Sequence, residues 1–189
     1  MPPRAREYIV LRFVEAGLDG AWLIEPEPVA DERGSFARTF CTREFADQGL
    51  ESNFVQHSVS HSVERGTLRG LHFQHEPHAE VKVVSCIRGA ILDVIVDMRP
   101  GSPTRRRWIS VELTPQNHRQ IYIPKGFAHG FITLDDDSVV SYLISEFYAP
   151  AAASGLRYDD PALGIDWRDT PTVISERDHG WAWLEASLA

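Results

Sequence analysis

Five polar side chains of complementary acid–base type stand inside segments of the sequence that are otherwise apolar. His72, for example, is flanked by Leu71 and Phe73, and an imidazole titrates near neutral pH, where it can act as a base. Ionisable groups are costly to bury unless they have a partner or a function, and they cluster where pKa values are tuned for chemistry. The five residues are His72, Lys82, Asp93, His129 and Tyr142.

Proton transfer next to a carbonyl group is the first chemistry that this set suggests. His72 would remove a proton alpha to the carbonyl, and it would need a carboxylate on its other ring nitrogen to fix the tautomer and stabilise the cation. The product is an enolate, whose oxyanion Lys82 or His129 would hold in a dry pocket. The phenol of Tyr142 would return a proton from the opposite face.

A metal site is the second interpretation of the same residues. Histidine nitrogens and carboxylate oxygens bind zinc and iron, and the string PKGFAH at 124–129 resembles the second motif of the cupins. Metal cupins usually carry HxH in the first motif, whereas the second of these positions is Gln74 here. The candidate ligands of this alternative are His72, His75, His78, Glu80 and His129.

A predicted hairpin over residues 69–89 positions the first half of the set. Its apolar residues are β-prone and flank a polar turn, which indicates two strands. Side chains alternate along a strand, so His72 points away from Leu71 and Phe73. If the two strands pair, Lys82 faces the same cavity as His72. The second half of the set depends on the segment 123–131.

About ten short strands, punctuated by Gly, Pro and Asp, predict an all-β sandwich or barrel. Residues 42–48 are expected to form a short helix that Thr42 caps and Gly49 ends. A second short helix is expected from Ser175 or Asp178 onward. The other predicted strands are 21–24, 36–40, 54–61, 90–97, 108–113, 120–123, 128–134 and 139–145.

Length and composition predict one globular domain over residues 1–189, in which residues 1–17 form an N-terminal arm or an extra strand. The formal net charge is -8 and the longest basic run is 105–107, so we expect no nucleic-acid surface. Two cysteines without CxxC spacing, and no apolar run long enough to cross a membrane, predict a cytoplasmic protein that binds no membrane.

Several long motifs resemble those of the dTDP-4-dehydrorhamnose 3,5-epimerase family. They occur in the family's order and cover roughly residues 20–180. Because several of them are long, chance agreement does not explain them. The motifs are DERGSF at 31–36, RGLHFQ at 69–74 with the lysine at 82, GAILDVIVDMRPGSPT at 89–104, IPKGFAHGF at 123–131, SEFYAP at 145–150 and YDDPALGIDW at 158–167.

The resemblance implies a cupin-type double-stranded β-helix, or jelly roll, with short peripheral helices. It also implies a homodimer that uses no metal ion and no organic cofactor. The implied substrate is a nucleotide-linked 4-keto-6-deoxy sugar, which is epimerised at C3 and C5, or at C3 only, by proton abstraction alpha to the keto group.

The resemblance also implies roles for particular residues. His72 matches the base that removes the proton, Asp178 matches its paired carboxylate, and Tyr142 matches the acid that reprotonates the ring. Lys82 and His129 match residues around the sugar's oxygens. Arginines suit a diphosphate because their planar fork binds oxygens in pairs. The implied nucleotide or phosphate contacts are Arg33, Gln56 and Arg69.

The chain departs from the family pattern mainly where the nucleotide would be recognised. Arg38 replaces a common glutamate, and Phe147 stands where a second tyrosine is frequent. Residues 57–58 and 151–153 also differ from the usual residues. The nucleotide base, and the choice between epimerisation at both carbons and at C3 only, therefore stay open. A non-catalytic sugar-nucleotide binding protein is a further alternative, but a pure binder needs neither a base nor an acid.

Overall fold

The computed structural model describes residues 10–184, which form a sandwich of two β-sheets. The first half of the chain contributes β1 (Leu11–Glu15), β2 (Trp22–Pro26), β3 (Val29–Asp31), β4 (Gly34–Phe36), β5 (Gln56–Ser62), β6 (Thr67–Gln74), β7 (Lys82–Arg88) and β8 (Ile91–Asp97). The second half contributes β9 (Trp108–Leu113), β10 (Gln120–Ile123), β11 (Phe127–Thr133), β12 (Ser138–Ile144), β13 (Ala153–Gly155) and β14 (Val173–Ile174). The two helices are α1 (Thr42–Asp47) and α2 (Glu176–His179).

The two sheets differ in strand order. The first, here called the β7 sheet, has the order β1-β2-β10-β7-β12-β5, and the second, the β6 sheet, has the order β13-β6-β11-β8-β9. All of these neighbours are antiparallel, whereas β14 joins β6 in parallel and β3 forms a separate hairpin with β4. The all-β prediction is confirmed. None of the helices between residues 10 and 184 has the length and apolar character needed to cross a bilayer.

Apolar layers cover both faces of each sheet. One core lies between the sheets, a second lies between the β6 sheet and the segment after residue 150, and a third lies between the β7 sheet and α1. Strands β8 and β11 are consequently buried at every residue, without the alternation of a half-exposed strand. Polar side chains on these strands, such as Asp93 and His129, therefore require partners inside the protein.

The structure differs from the predictions in the segment before α1 and adds detail to them in the N-terminal region. Strand β1 lies within the predicted arm-or-strand region and pairs with β2, while residues 1–9 fall outside the described residues. The predicted strand over residues 36–40 is wrong, because the hairpin ends at Phe36. Phe40 instead packs edge-on against Phe45 of α1, with ring centroids 4.8 Å apart. Phe40 therefore packs against the helix and takes part in no strand pairing.

The two helix starts use different caps. Cys41 occupies the N-cap position of α1 with no side-chain cap, so the prediction that Thr42 caps this helix is wrong. Ser175 caps α2, as one of the two predicted starts requires: its Oγ accepts a hydrogen bond from the amide of Asp178 at 3.1 Å. This cap orders the segment that carries Asp178.

Asp97 ties the turn that follows β8 to the body of the protein. Its fully buried carboxylate accepts hydrogen bonds from the Arg99 guanidinium at 2.7 Å, from the Thr104 hydroxyl at 2.7 Å and from Ser102. Burial raises the pKa of Asp97, but these donors together lower it to about 2. The carboxylate is therefore ionised in the folded protein at any pH well above 2.

We expect Asp97→Asn to destabilise the protein by about 2 kcal/mol at pH 7, because the folded pKa lies below the unfolded value. This contribution is present above pH ~4 and disappears as the pH falls through about 2. Urea denaturation between pH 2 and 7 measures it, with the exposed Asp47→Asn as the control. Parallel stability profiles of wild type and Asp97→Asn down to pH 2 would contradict the assignment.

Candidate active site

A cavity of about 590 Å³ opens between the two sheets. Strands β6 and β11 contribute to one wall, β5, β7 and β12 contribute to the other, and the segment around α2 closes one side. Six of the eight residues predicted for the site line this cavity. They are Arg69, His72, Lys82, His129, Tyr142 and Asp178.

Gln56 and Arg33 lie outside this main cavity. Gln56 lines a neighbouring cavity of about 210 Å³, which shares His72 and Lys82 with the main one. Arg33 lies in the β3–β4 hairpin, where its side chain is 83% exposed and pairs with Asp31. The structure thus brings Gln56 next to the site and leaves Arg33 apart from it.

An irregularity in the pairing of β6 with β11 places Arg69 and His72 on one wall. Residues three apart in a regular strand point to opposite faces of a sheet. Here His129 pairs with His72 and Phe131 pairs with Arg69, so β6 advances three residues while β11 advances two. The extra residue acts as a β-bulge and re-aims the side chains. Both Arg69 and His72 therefore reach the cavity.

Two glycines allow the strands to approach closely at this irregularity. A Cβ atom added at Gly130 would stand 2.7 Å from the carbonyl oxygen of Arg69, and one at Gly70 would stand 2.5 Å from the Cα of Gly130. Gly70 also has a φ of +134°, which other residues rarely adopt. Its amide donates a hydrogen bond to Oδ2 of Asp178 at 3.1 Å. The bulge therefore anchors the carboxylate as well.

A short contact joins His72 on β6 to Asp178 on α2. His72 Nε2 lies 2.6 Å from Asp178 Oδ1, and the indole N–H of Trp181 lies 3.4 Å from the same oxygen. Burial raises the pKa of Asp178, but the hydrogen bond and charge of His72, the Gly70 amide and Trp181 together bring it below its ordinary value. Asp178 is therefore a carboxylate at neutral pH, and Nδ1 of His72 is the ring nitrogen left for a ligand.

Lys82 and His129 are each held by a carboxylate. Nε2 of His129 lies 2.8 Å from Oδ2 of Asp93, and the pair is almost fully buried. Nζ of Lys82 lies 2.8 Å from Oε1 of Glu80. Paired ionisable groups are tolerated in a protein interior where single ones are not. The two side chains are thus fixed where they can hold an oxygen of a ligand.

Tyr142 faces the cavity from β12, in the sheet opposite His72. Its hydroxyl lies 3.1 Å from Oγ of Ser60. Burial raises the pKa of the Tyr142 phenol, and the hydrogen bond with Ser60 lowers it by a smaller amount. The pKa therefore lies above the usual range of a tyrosine. The phenol is therefore protonated at neutral pH and can donate. A candidate base and a candidate acid stand on opposite walls of one cavity.

Arg177 and Ser60 belong to the site although sequence analysis did not select them. Arg177 lines both cavities, and its place beside Asp178 in the ISERD string was the available signal. Nothing in the sequence marked Ser60 as a site residue, since serines are common in exposed strands. With Arg69 and Lys82, Arg177 gives the cavity a cationic lining that suits an anionic ligand.

The candidate ligands of the metal interpretation do not converge. His72 and His129 each pair with an aspartate, and Glu80 pairs with a lysine. The ring of His75 packs edge-on against Phe73, with centroids 5.0 Å apart. Over the described range 10–184, no three His, Cys, Asp or Glu side chains are grouped in a way that could hold a metal ion.

Comparison with known proteins places the chain in a family. The family model described as dTDP-4-dehydrorhamnose 3,5-epimerase matches residues 15–186, and the chain belongs to that family. A dTDP-4-dehydrorhamnose 3,5-epimerase of Methanothermobacter thermautotrophicus is 49% identical over 90% of this chain and 92% of its own length. A dTDP-4-dehydrorhamnose 3-epimerase of Streptomyces niveus is 39% identical over 89% of this chain and 81% of its own.

A solved structure agrees with this assignment. The crystal structure of dTDP-4-dehydrorhamnose 3,5-epimerase from Bacillus anthracis, with TDP and PPi bound, matches with a TM-score of 0.90 at 40% identity, covering 93% of this chain and 100% of that one. The predicted family, the cupin-like jelly roll and an isomerase of the epimerase class are thereby confirmed.

Trp181 supports the His72–Asp178 pair from the outside. It packs over Gly155 of β13, which pairs with His72 across the sheet. A Cβ atom added at Gly155 would overlap the indole and would stand 2.7 Å from the carbonyl oxygen of Leu71. Glycine at this position therefore makes room for the indole beside the pair.

We expect Gly155→Ala to destabilise the protein by about 1–3 kcal/mol, the range for over-packing, because the indole must leave its place. Urea denaturation measures the loss. Trp181→Ala is the matched background. The added methyl group meets no indole there but still stands 2.7 Å from the carbonyl oxygen of Leu71, so it should cost less than in wild type without becoming neutral. Equal costs of Gly155→Ala in both backgrounds would show that the indole contact is irrelevant.

Proposed function

We propose that this protein epimerises a nucleotide-linked 4-keto-6-deoxy sugar by moving protons at the carbons next to the keto group. The observation that carries the proposal is the pair of opposed walls: His72 with its carboxylate Asp178 on one, and the protonated phenol of Tyr142 on the other. Inversion of a carbon requires removal of a proton from one face and its replacement from the other. The cavity offers both groups.

His72 is the proposed base. Nδ1 accepts the proton from the sugar carbon alpha to the keto group, and the C–H electron pair forms the enolate. Asp178 stabilises the resulting imidazolium through the 2.6 Å contact to Nε2. Lys82 and His129 hold the negative charge on the former keto oxygen. These steps are proton transfers, and they need no metal ion or organic cofactor.

Tyr142 is the proposed acid. Its phenol gives a proton to the opposite face of the enolate carbon, which restores the keto group with inverted configuration. The raised pKa of Tyr142 keeps this proton in place until the enolate forms. Exchange with solvent then returns a proton to Tyr142 and removes one from His72, so the enzyme is restored.

A nucleotide diphosphate is the proposed anionic part of the substrate. Arg69 and Arg177 line the main cavity and offer planar guanidinium groups for phosphate oxygens. Gln56 lines the adjoining cavity. Arg33 stays a proposed nucleotide contact although it lies apart from the cavity in this chain. The Bacillus anthracis relative, described with TDP and PPi bound, supports a thymidine nucleotide.

Epimerisation at both C3 and C5 is the leading form of the reaction, and epimerisation at C3 alone is the second candidate. The first follows the Methanothermobacter thermautotrophicus relative and the second follows the Streptomyces niveus 3-epimerase. Both use the same base and acid, so the identity of His72 and Tyr142 does not separate them.

Proton NMR of dTDP-4-keto-6-deoxyglucose in deuterated water tests the function and the roles together. We expect wild type to exchange the C3 proton, and the C5 proton as well if both carbons are inverted. His72→Asn should abolish exchange at both carbons, because no base remains. Tyr142→Phe should still exchange protons through His72 but should lose inversion, because no acid serves the opposite face.

Asp160→Asn is the control for a buried substitution outside the cavity. Asp160 is 3% exposed, and its carboxylate accepts hydrogen bonds from the backbone amides of Ala162 and Leu184. The substitution should change stability and leave exchange intact. Turnover that persists in His72→Asn would remove His72 as the base. Absence of exchange in folded wild type with this substrate would overturn the proposed thymidine-linked sugar.

We further propose that the protein is a homodimer. Strand β5 forms one edge of the β7 sheet, and Val59 on it and Val63 beyond it are 59% and 65% exposed. Unpaired edges and exposed apolar side chains are features of association surfaces. The cytoplasmic location and the single domain over residues 1–189 stay predictions.

Sedimentation velocity at micromolar concentration should give twice the chain mass of 21.3 kDa. Val63→Lys should shift the equilibrium toward the monomer, because it places a charge on the apolar surface, whereas the similarly shaped Val63→Thr should shift it far less. A wild-type protein that sediments as a monomer would contradict the dimer.

A further inference from the structure

Glu80 carries a carboxylate oxygen that the protein leaves unpaired. Its side chain is only 7% exposed, and Oε1 lies 2.8 Å from Nζ of Lys82. The other oxygen, Oε2, is buried and has no hydrogen-bond partner among residues 10–184. A buried acceptor without a donor is destabilising, because it has given up its hydrogen bonds to water. A donor that arrives with a ligand would recover this cost.

The neighbouring cavity provides a place for such a donor. It measures about 210 Å³ and is lined by Glu80 together with His72 and Lys82. This volume equals about seven waters at ~30 Å³ each, which leaves room for part of a sugar ring. The terminal torsion of a glutamate has a broad energy profile, so the carboxylate can rotate to present an oxygen to the cavity, and the long side chain of Lys82 can follow its partner oxygen.

We propose that Glu80 contacts the substrate and accepts a hydrogen bond from the sugar hydroxyl next to the keto group, at C3. This inference rests on the proposed epimerisation, in which Lys82 holds the keto oxygen at C4. An ammonium group only donates hydrogen bonds and a carboxylate only accepts them. An α-hydroxyketone presents the matching pair, because its keto oxygen accepts and its hydroxyl donates.

The proposed contact is specific to one side of the keto group. In a 4-keto-6-deoxy sugar, C3 carries a hydroxyl, whereas C5 carries the ring oxygen and a methyl group and offers no donor. Glu80 and Lys82 together would therefore fix which of the two neighbouring carbons lies on which side of the cavity. Glu80 would act as a specificity-determining residue for the C3 side.

Two substrates and one conservative variant test the proposal. The substrates are dTDP-4-keto-6-deoxyglucose and its 3-deoxy analogue, and both carry exchangeable protons at C3. In Glu80→Gln, the amide oxygen can accept from Lys82, and the NH₂ group then faces the hydroxyl. Because a hydroxyl both donates and accepts, the variant replaces a charge-assisted hydrogen bond by a neutral one. We expect kcat/KM for deuterium uptake at C3 to fall about five- to tenfold with the hydroxylated substrate, because the neutral bond is weaker, and to change less than threefold with the analogue.

Glu112→Gln removes the same charge from β9. Glu112 lines neither cavity, so uptake with both substrates should be unaffected. If thermal melting shows that Glu80→Gln is unfolded, Glu80→Asp replaces it, because it keeps the charge and shortens the reach; the same selective loss is expected. Equal losses with both substrates would show that Glu80 only supports Lys82 and would overturn the proposal. Absence of uptake by wild type with either substrate would instead overturn the proposed function.

Discussion

The contact between His72 and Asp178 is the interaction on which the rest of the site depends. It joins residues 106 positions apart and fastens the irregular C-terminal segment to strand β6. Three further contacts hold Asp178 in place for this interaction. The amide of Gly70 donates to its second carboxylate oxygen, Ser175 caps the short helix that carries it, and the indole N–H of Trp181 lies near the oxygen that contacts His72. Together these contacts fix the orientation of the His72 ring, which is the proposed base.

Burial on both faces of the sheets explains why the polar residues of the site occur in pairs. Strands β8 and β11 have no solvent-exposed face, so an ionisable side chain on either strand needs a partner within the protein. Asp93 and His129 satisfy each other, as do Glu80 and Lys82, except at one glutamate oxygen. Glu80 itself lines the smaller cavity, where we propose that a substrate completes the pairing.

The jelly roll contributes opposed walls. A proton can leave one face of a sugar carbon and return to the other only if the base and the acid come from different directions. The two sheets place the proposed base and the proposed acid in this way, because β6 carries His72 and β12 carries Tyr142. The same architecture serves relatives described as 3,5-epimerases and as 3-epimerases. The fold by itself therefore does not decide whether one or two carbons are inverted.

The sequence by itself determined the family, the all-β class and six residues that line the cavity, because these rest on long motifs and local strand patterns. The prediction of a strand over 36–40 was wrong, since aromatic residues favour strands and helix packing alike, and Phe40 packs on a helix. Only the tertiary structure decided that Arg69 and His72 share a wall, because a bulge is a property of the pairing between two strands. It also decided the place of Arg177 and the unpaired oxygen of Glu80, since both depend on side chains that meet only after the chain has folded.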